Sequence, residues 1–169
     1  MSPEVAGWGR PNGALAALVA LRLAVGWHFL YEGILKLQNP YWTSADYLAQ
    51  SQSFLAGAFH WLAADPARLA LVDGLNRWGL VLIGAGLIAG LFTRTATAAG
   101  MVLLAFYYLC HPPFPASASS LPGADTTLIV DKVLIEMVAL WVLLVLPTSG
   151  VVGLDRLLQH KATAGASHE

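Results

Sequence analysis

Residues 21–37, LRLAVGWHFLYEGILKL, are apolar enough to lie in a bilayer, yet they carry Arg22, His28, Glu32 and Lys36. A charged side chain at the centre of a membrane helix costs roughly 2.5–3.5 kcal/mol on insertion scales, so four ionisable groups need partners or a purpose. At about 100° per residue, with Arg22 at zero, Lys36 falls near −40°, Glu32 near −80° and His28 near −120°, so all four share one helical face. A second set, Asp131, Lys132 and Glu136, lies in the last apolar run. If that run is antiparallel to the first, a rise of about 1.5 Å per residue puts Lys36 level with Asp131, Glu32 with Lys132 and His28 with Glu136, and leaves Arg22 deeper. An imidazole beside carboxylates can change protonation in the accessible pH range. Lysine or arginine nearby can stabilise an oxygen that gains negative charge.

Two readings of this constellation stand side by side. In one, the charges tie the first and last membrane helices together, a modest contribution typical of polar groups between such helices. In the other they form a proton-handling, ligand-binding pocket in the outer half of the protein, with His28, Glu32 and Glu136 as its reactive groups. Trp78, Tyr107, Tyr108 and His111 fall at the same outer level; for the aromatics, the competing role is the interfacial belt. Cys110 reads as a small buried apolar side chain.

Of 169 residues, 57% are hydrophobic and 11% charged, against nearer 25% charged in soluble domains. The chain therefore reads as an all-α integral membrane protein whose first partner is the lipid bilayer. A net charge of −1 gives no argument for nucleic acid. A single cysteine excludes an intrachain disulfide, a CxxC pair, a cysteine zinc site and covalent haem, and no metal or haem cofactor is expected. The N-terminal MSPEVAGWGRPNG lacks the order of a cleaved signal, so the first span is expected to be retained.

To position the charges, four spans are expected at about 13–37, 75–92, 95–110 and 127–147, forming a four-transmembrane-helix bundle within one domain, 1–160. Asn12 and Asp125 are read as N-caps, Thr93–Thr95 as a turn, and Pro112-Pro113 as the stop of the third span. Gly86 and Gly90, with Ala85 and Ala89, are read as small-residue packing rows. The external stretch 38–74 is punctuated by aromatics, and Asp65-Pro66 looks like a cap and first helical position; two short interfacial helices are expected there as a lid. Arg10, Arg94, Arg156 and Lys161 outnumber Arg68 and Arg77, which places both termini in the cytoplasm of a cell (inner) membrane protein. GLDRLLQHK reads as a short amphipathic helix and 161–169 as a disordered tail.

Three stretches carry a family resemblance: Arg22-x3-Gly26-x2-Phe29-x3-Gly33-x2-Lys36 followed by QNPYW; GLFTRTATAAGMVLLAFYYLCHPPF with Arg94; and LIVDKVLIEMVALWVLLVLP with Asp131, Lys132 and Glu136. With them the chain resembles the DoxX family of small four-span membrane proteins, in particular the branch containing the membrane subunit of thiosulfate:quinone oxidoreductase. The resemblance implies a quinone as cofactor and a role in a quinone-linked oxidoreductase, with thiosulfate as one donor. It implies no set of catalytic residues. No fused extracytoplasmic domain accompanies the spans, so the donor-oxidising module is expected as a separate partner subunit; a homo-oligomer is a further arrangement to test. A non-catalytic scaffold or assembly factor is the competing function, and a transporter is disfavoured because no inverted repeat or broken helix is visible.

Overall fold

A computed structural model describes residues 11–112 and 130–146, and their regular structure is helical throughout. The helices are α1 (Pro11–Gln38), α2 (Ala45–Ala49), α3 (Ala56–Ala63), α4 (Pro66–Ala89), α5 (Thr93–Cys110) and α6 (Lys132–Val145). Two of them, over Gly13–Gln38 and Pro66–Ala89, are long and apolar enough to cross a membrane. The predicted short helix and tail after Pro147, most of the second external loop and Asp125 lie outside the described residues.

Helix ends follow local chemistry and correct several expectations. Asn12 is the second residue of α1, not its cap. Asp65 and Pro66 do open a helix: the Asp65 carboxylate accepts from the backbone nitrogens of Ala67 (2.9 Å) and Arg68 (3.0 Å), and proline presets the helical φ. That helix is not part of the lid but the whole second apolar helix, so the lid ends at residue 65, and Arg68 and Arg77 lie inside α4. Gly90 closes α4 with a left-handed φ of 64°, which costs least without a Cβ. The turn occupies residues 90–92, and Thr93–Thr95 already form the first turn of α5. Asp131 is the N-cap of α6, accepting from Leu134 N at 2.8 Å, so the described helix starts at 132 rather than 127.

The four longer helices pack in a ring, α1 on α4, α4 on α5, α5 on α6 and α6 back on α1. Val25, Phe29, Leu80, Ile83, Leu87, Ala96, Leu104 and Leu140 fill its centre. Small residues let α1 and α4 approach until their backbones touch. A Cβ on Gly84 would meet the Leu30 backbone nitrogen and lie 2.7 Å from the Gly26 carbonyl oxygen, and one on Gly33 would lie 2.8 Å from Val81 N. The close rows are thus Gly26, Gly33 and Gly84; Gly90 serves as a cap, and Gly86 faces the turn and Ala96. Gly26 lies against Leu87 and Gly33 against Leu80, which makes α1 and α4 antiparallel.

The lid, residues 39–65 with α2 and α3, is held by side chains from the ring. Ser44 donates its backbone N–H (2.8 Å) and hydroxyl (2.6 Å) to Asp73 on α4. Leu48 and Phe59 pack on Cys110 at the end of α5 in a second small apolar cluster, where the buried Cys110 behaves as the expected apolar side chain.

Candidate functional site

Asn76 and Tyr107 face each other from α4 and α5 because both lie on the inward stripes of their helices; Asn76 keeps register with buried Leu80, Ile83 and Leu87. Asn76 Nδ2 donates to the Tyr107 hydroxyl at 2.6 Å. Lys36 arrives from the last turn of α1 and donates to Asn76 Oδ1 (3.0 Å) and to the same hydroxyl (3.2 Å). Its ammonium also lies 4.9 Å from the centre of the Trp42 ring, over which the Arg77 guanidinium stands at 5.2 Å while donating to the Trp42 carbonyl. With both its lone pairs engaged, the phenol's own proton is the one it can offer, and the ammonium and amide each keep hydrogens beyond those used here. Lys36, Asn76 and Tyr107 therefore form a cluster of donors on one polar spot.

Two of the three, Asn76 and Tyr107, line one end of a cavity of about 500 Å³ between α4 and α5, roofed by the lid, while Lys36 is not among the residues that line it. Ser44, Asn76 and Tyr107 supply its polar edge; Leu48, Phe59, Ile83, Val102 and Phe106 are among its apolar walls. Tyr47, from the roof, donates its hydroxyl to the Tyr107 carbonyl at 3.1 Å, and its own carbonyl lies 2.7 Å from His111 Nε2. Ser51 donates to the Cys110 carbonyl at 2.6 Å. The roof is thus fastened to the end of α5 by hydrogen bonds on either side of the apolar cluster.

The other sequence-predicted residues separate into distinct places. His28 Nε2 stands 3.1 Å from Glu136 Oε1, so the expected α1–α6 layer forms, with the imidazole side chain half exposed. Glu32 is near enough to both Lys36 and Glu136 to act on each electrostatically. Among the described residues no ion pair joins Glu32 to Lys132, and Lys132 is exposed on the first turn of α6. Asp131 is engaged as the α6 cap instead of pairing with Lys36. His28, Glu32 and Glu136 do not line the cavity, which opens on the opposite pair of helices from the expected α1–α6 site. Arg22 is buried, roughly 21 Å along α1 from Lys36 at about 1.5 Å per residue, and so belongs to the far end of the ring. Trp78 is exposed, and neither it nor Tyr108 lines the cavity.

Sequence reasoning missed Asp73, Asn76 and Ser44. The signal for the first two was present: Asp73, Asn76, Leu80, Ile83 and Leu87 recur at helical spacing, so two polar residues sit in the stripe that α4 buries.

A family model described as DoxX matches residues 17–112, more than half of the chain, from α1 through the lid to the end of α5. No curated protein and no solved structure matches the chain.

Proposed function

This chain belongs to the DoxX family, and from that premise we propose that it is the membrane subunit of a quinone-linked oxidoreductase that binds its quinone between α4 and α5. Its apolar helices and its family point to a lipid bilayer as its environment. The observation that carries the reading is the pairing of an apolar cavity with a donor cluster at one end. A ring with carbonyl oxygens needs apolar walls and a few convergent N–H or O–H groups; Asn76 and Tyr107 on the cavity lining supply the latter, and Lys36, bonded to both of them, stands behind. When bound, a quinone supplies the electron chemistry, taking up two electrons and two protons. Tyr107 would orient one carbonyl through its hydroxyl proton, with Lys36 stabilising charge that builds on that oxygen. His28 and Glu136 meet at the neighbouring α1–α6 seam, and Glu32 acts electrostatically on both Glu136 and Lys36, so this seam would be the side from which protons reach the quinone. In the full reading α5 and α6 complete a four-span protein, and the electrons come from a donor such as thiosulfate oxidised on a separate extracytoplasmic subunit.

A scaffold or assembly role has one observation in its favour: the hydrogen bonds of Lys36, Asn76 and Tyr107 also tie α1, α4 and α5 to one another. Substitution separates the two. For an oxidoreductase subunit, purified protein binds a benzoquinone, and Lys36→Met or Tyr107→Phe weakens binding by about tenfold or more, since hydrogen bonds involving a charged group are worth roughly 1.5–3 kcal/mol. His28→Ala and Glu32→Gln slow quinone-dependent electron transfer in membranes and leave binding intact. For a scaffold, the wild type binds no quinone and the cluster substitutions lower thermal stability alone.

A further inference from the structure

We propose that the cavity opens sideways, between α4 and α5, into the hydrocarbon of the bilayer, and that Gly79 keeps this portal clear for the apolar chain of a membrane-dissolved ligand. The inference rests on the reading of the cavity as the quinone site and adds the route by which the ligand enters and the part of it that selects. Leu75, Val102 and Phe106 line the cavity and are also exposed on the outside of the protein, at 65%, 58% and 55%. A side chain can do both only at a rim, so the opening lies where these residues are. Leu75 and Gly79 lie roughly 14 and 20 Å along an α4 of about 36 Å, at 1.5 Å per residue. That is the middle of a helix long enough to cross the membrane, so the rim meets lipid chains and not water. Of the polar lining groups, Ser44 belongs to the lid and Tyr107 to the lid end of α5, Asn76 lies on α4 between the levels of Leu75 and Gly79, and the roof residues Leu48 and Phe59 are buried.

Between the two lips the helices present a small residue each, Gly79 on α4 and Ala99 on α5, both lining the cavity. A Cβ placed on Gly79 would meet nothing within 4 Å, whereas on Gly84 of the same helix it would strike the backbone of α1. Gly79 therefore marks open space rather than helix contact. A ligand whose ring reaches Asn76 and Tyr107 has its chain running out past Gly79, and a chainless ring makes no use of that gap.

The test uses full-length protein in lipid nanodiscs and two probes: a methyl- and methoxy-substituted benzoquinone without a chain, and the same ring bearing a long isoprenoid chain. Gly79→Phe is expected to weaken the chain-bearing probe by at least about tenfold, in the range for forcing bulk into an occupied space, and to leave the chainless probe within about twofold. Val102→Trp, on the opposite lip, should act in the same direction. Thermal unfolding of each variant checks that the helices still pack. If Gly79→Phe and Val102→Trp weaken both probes equally, or neither, the portal is wrong while the site stands. If the wild type binds neither probe, the quinone reading falls and the portal with it.

Discussion

Gly84 and Gly79 lie on one helix, yet substituting them should move stability in opposite directions. At Gly84 the α1 backbone is so close that a methyl group would need Leu30 and Gly26 to shift, and backbone has little room to give. Gly84→Ala is therefore expected to lower the unfolding free energy by about 1–3 kcal/mol, the usual cost of overpacking. Gly79→Ala meets open space and removes backbone freedom from the unfolded chain, so it should raise stability by up to about 1 kcal/mol. Reversible unfolding in mixed detergent micelles measures both; a loss at both positions would mean that the gap beside Gly79 is closed in solution. Gly26 and Gly33 were visible in the sequence as part of a spaced pattern around Lys36. Gly84 was not, because a close approach depends on where the opposing helix crosses, and no single segment records that.

For the helices, the cap of α4 links chemistry to pH. Hydrogen bonds donated by the Arg68 and Ala67 backbone, helped by the Arg68 charge, hold the Asp65 carboxyl below its ordinary value of 3.8. The folded state therefore binds this proton less readily than the unfolded state, so the cap's contribution is complete above the ordinary value and is lost as pH falls through the depressed one. The side-chain amide of an Asp65→Asn variant would cap without titrating. Between pH 7 and pH 3 the melting temperature of the wild type should consequently fall further than that of the variant; equal slopes would remove Asp65 as the cause. Part of the element plan was legible: α1 and the core of α5 follow from apolar length, and short helices in the lid from its aromatics, whereas the Asp65-Pro66 pair marks a true helix start that belongs to α4 and not, as expected, to the lid. The start of α4 was not legible as such, because Arg68, Asp73, Asn76 and Arg77 make its first half look like a polar loop. Their burial or packing against the lid is a tertiary effect: Asp73 is satisfied by Ser44, and Arg68 covers the Trp61 ring at 3.8 Å. The same blind spot displaced the candidate site. Counting charges pointed to the α1–α6 seam, where His28 and Glu136 do meet, while the cavity needed Asn76, whose amide carries no charge to attract notice.

Across the whole molecule, the antiparallel packing of α1 on α4 and the tight link from α4 to α5 bear on how the chain lies in the membrane. If α5 and α6 cross as well, a reporter fused at residue 169 and one inserted near residue 60 in the lid are found on opposite faces; matching faces would remove the four-span arrangement. The link at residues 90–92 has a temporal side as well. Closing so short a loop costs little chain entropy, so α4 and α5 can pair as a helical hairpin on the timescale of local events. Lys36 must meet Asn76 across a sequence separation of 40, with the lid strung between them, which makes its docking the slower, higher-contact-order step. In a chain still assembling, the two walls of the cavity are in place before the lysine that polarises its end is locked against them.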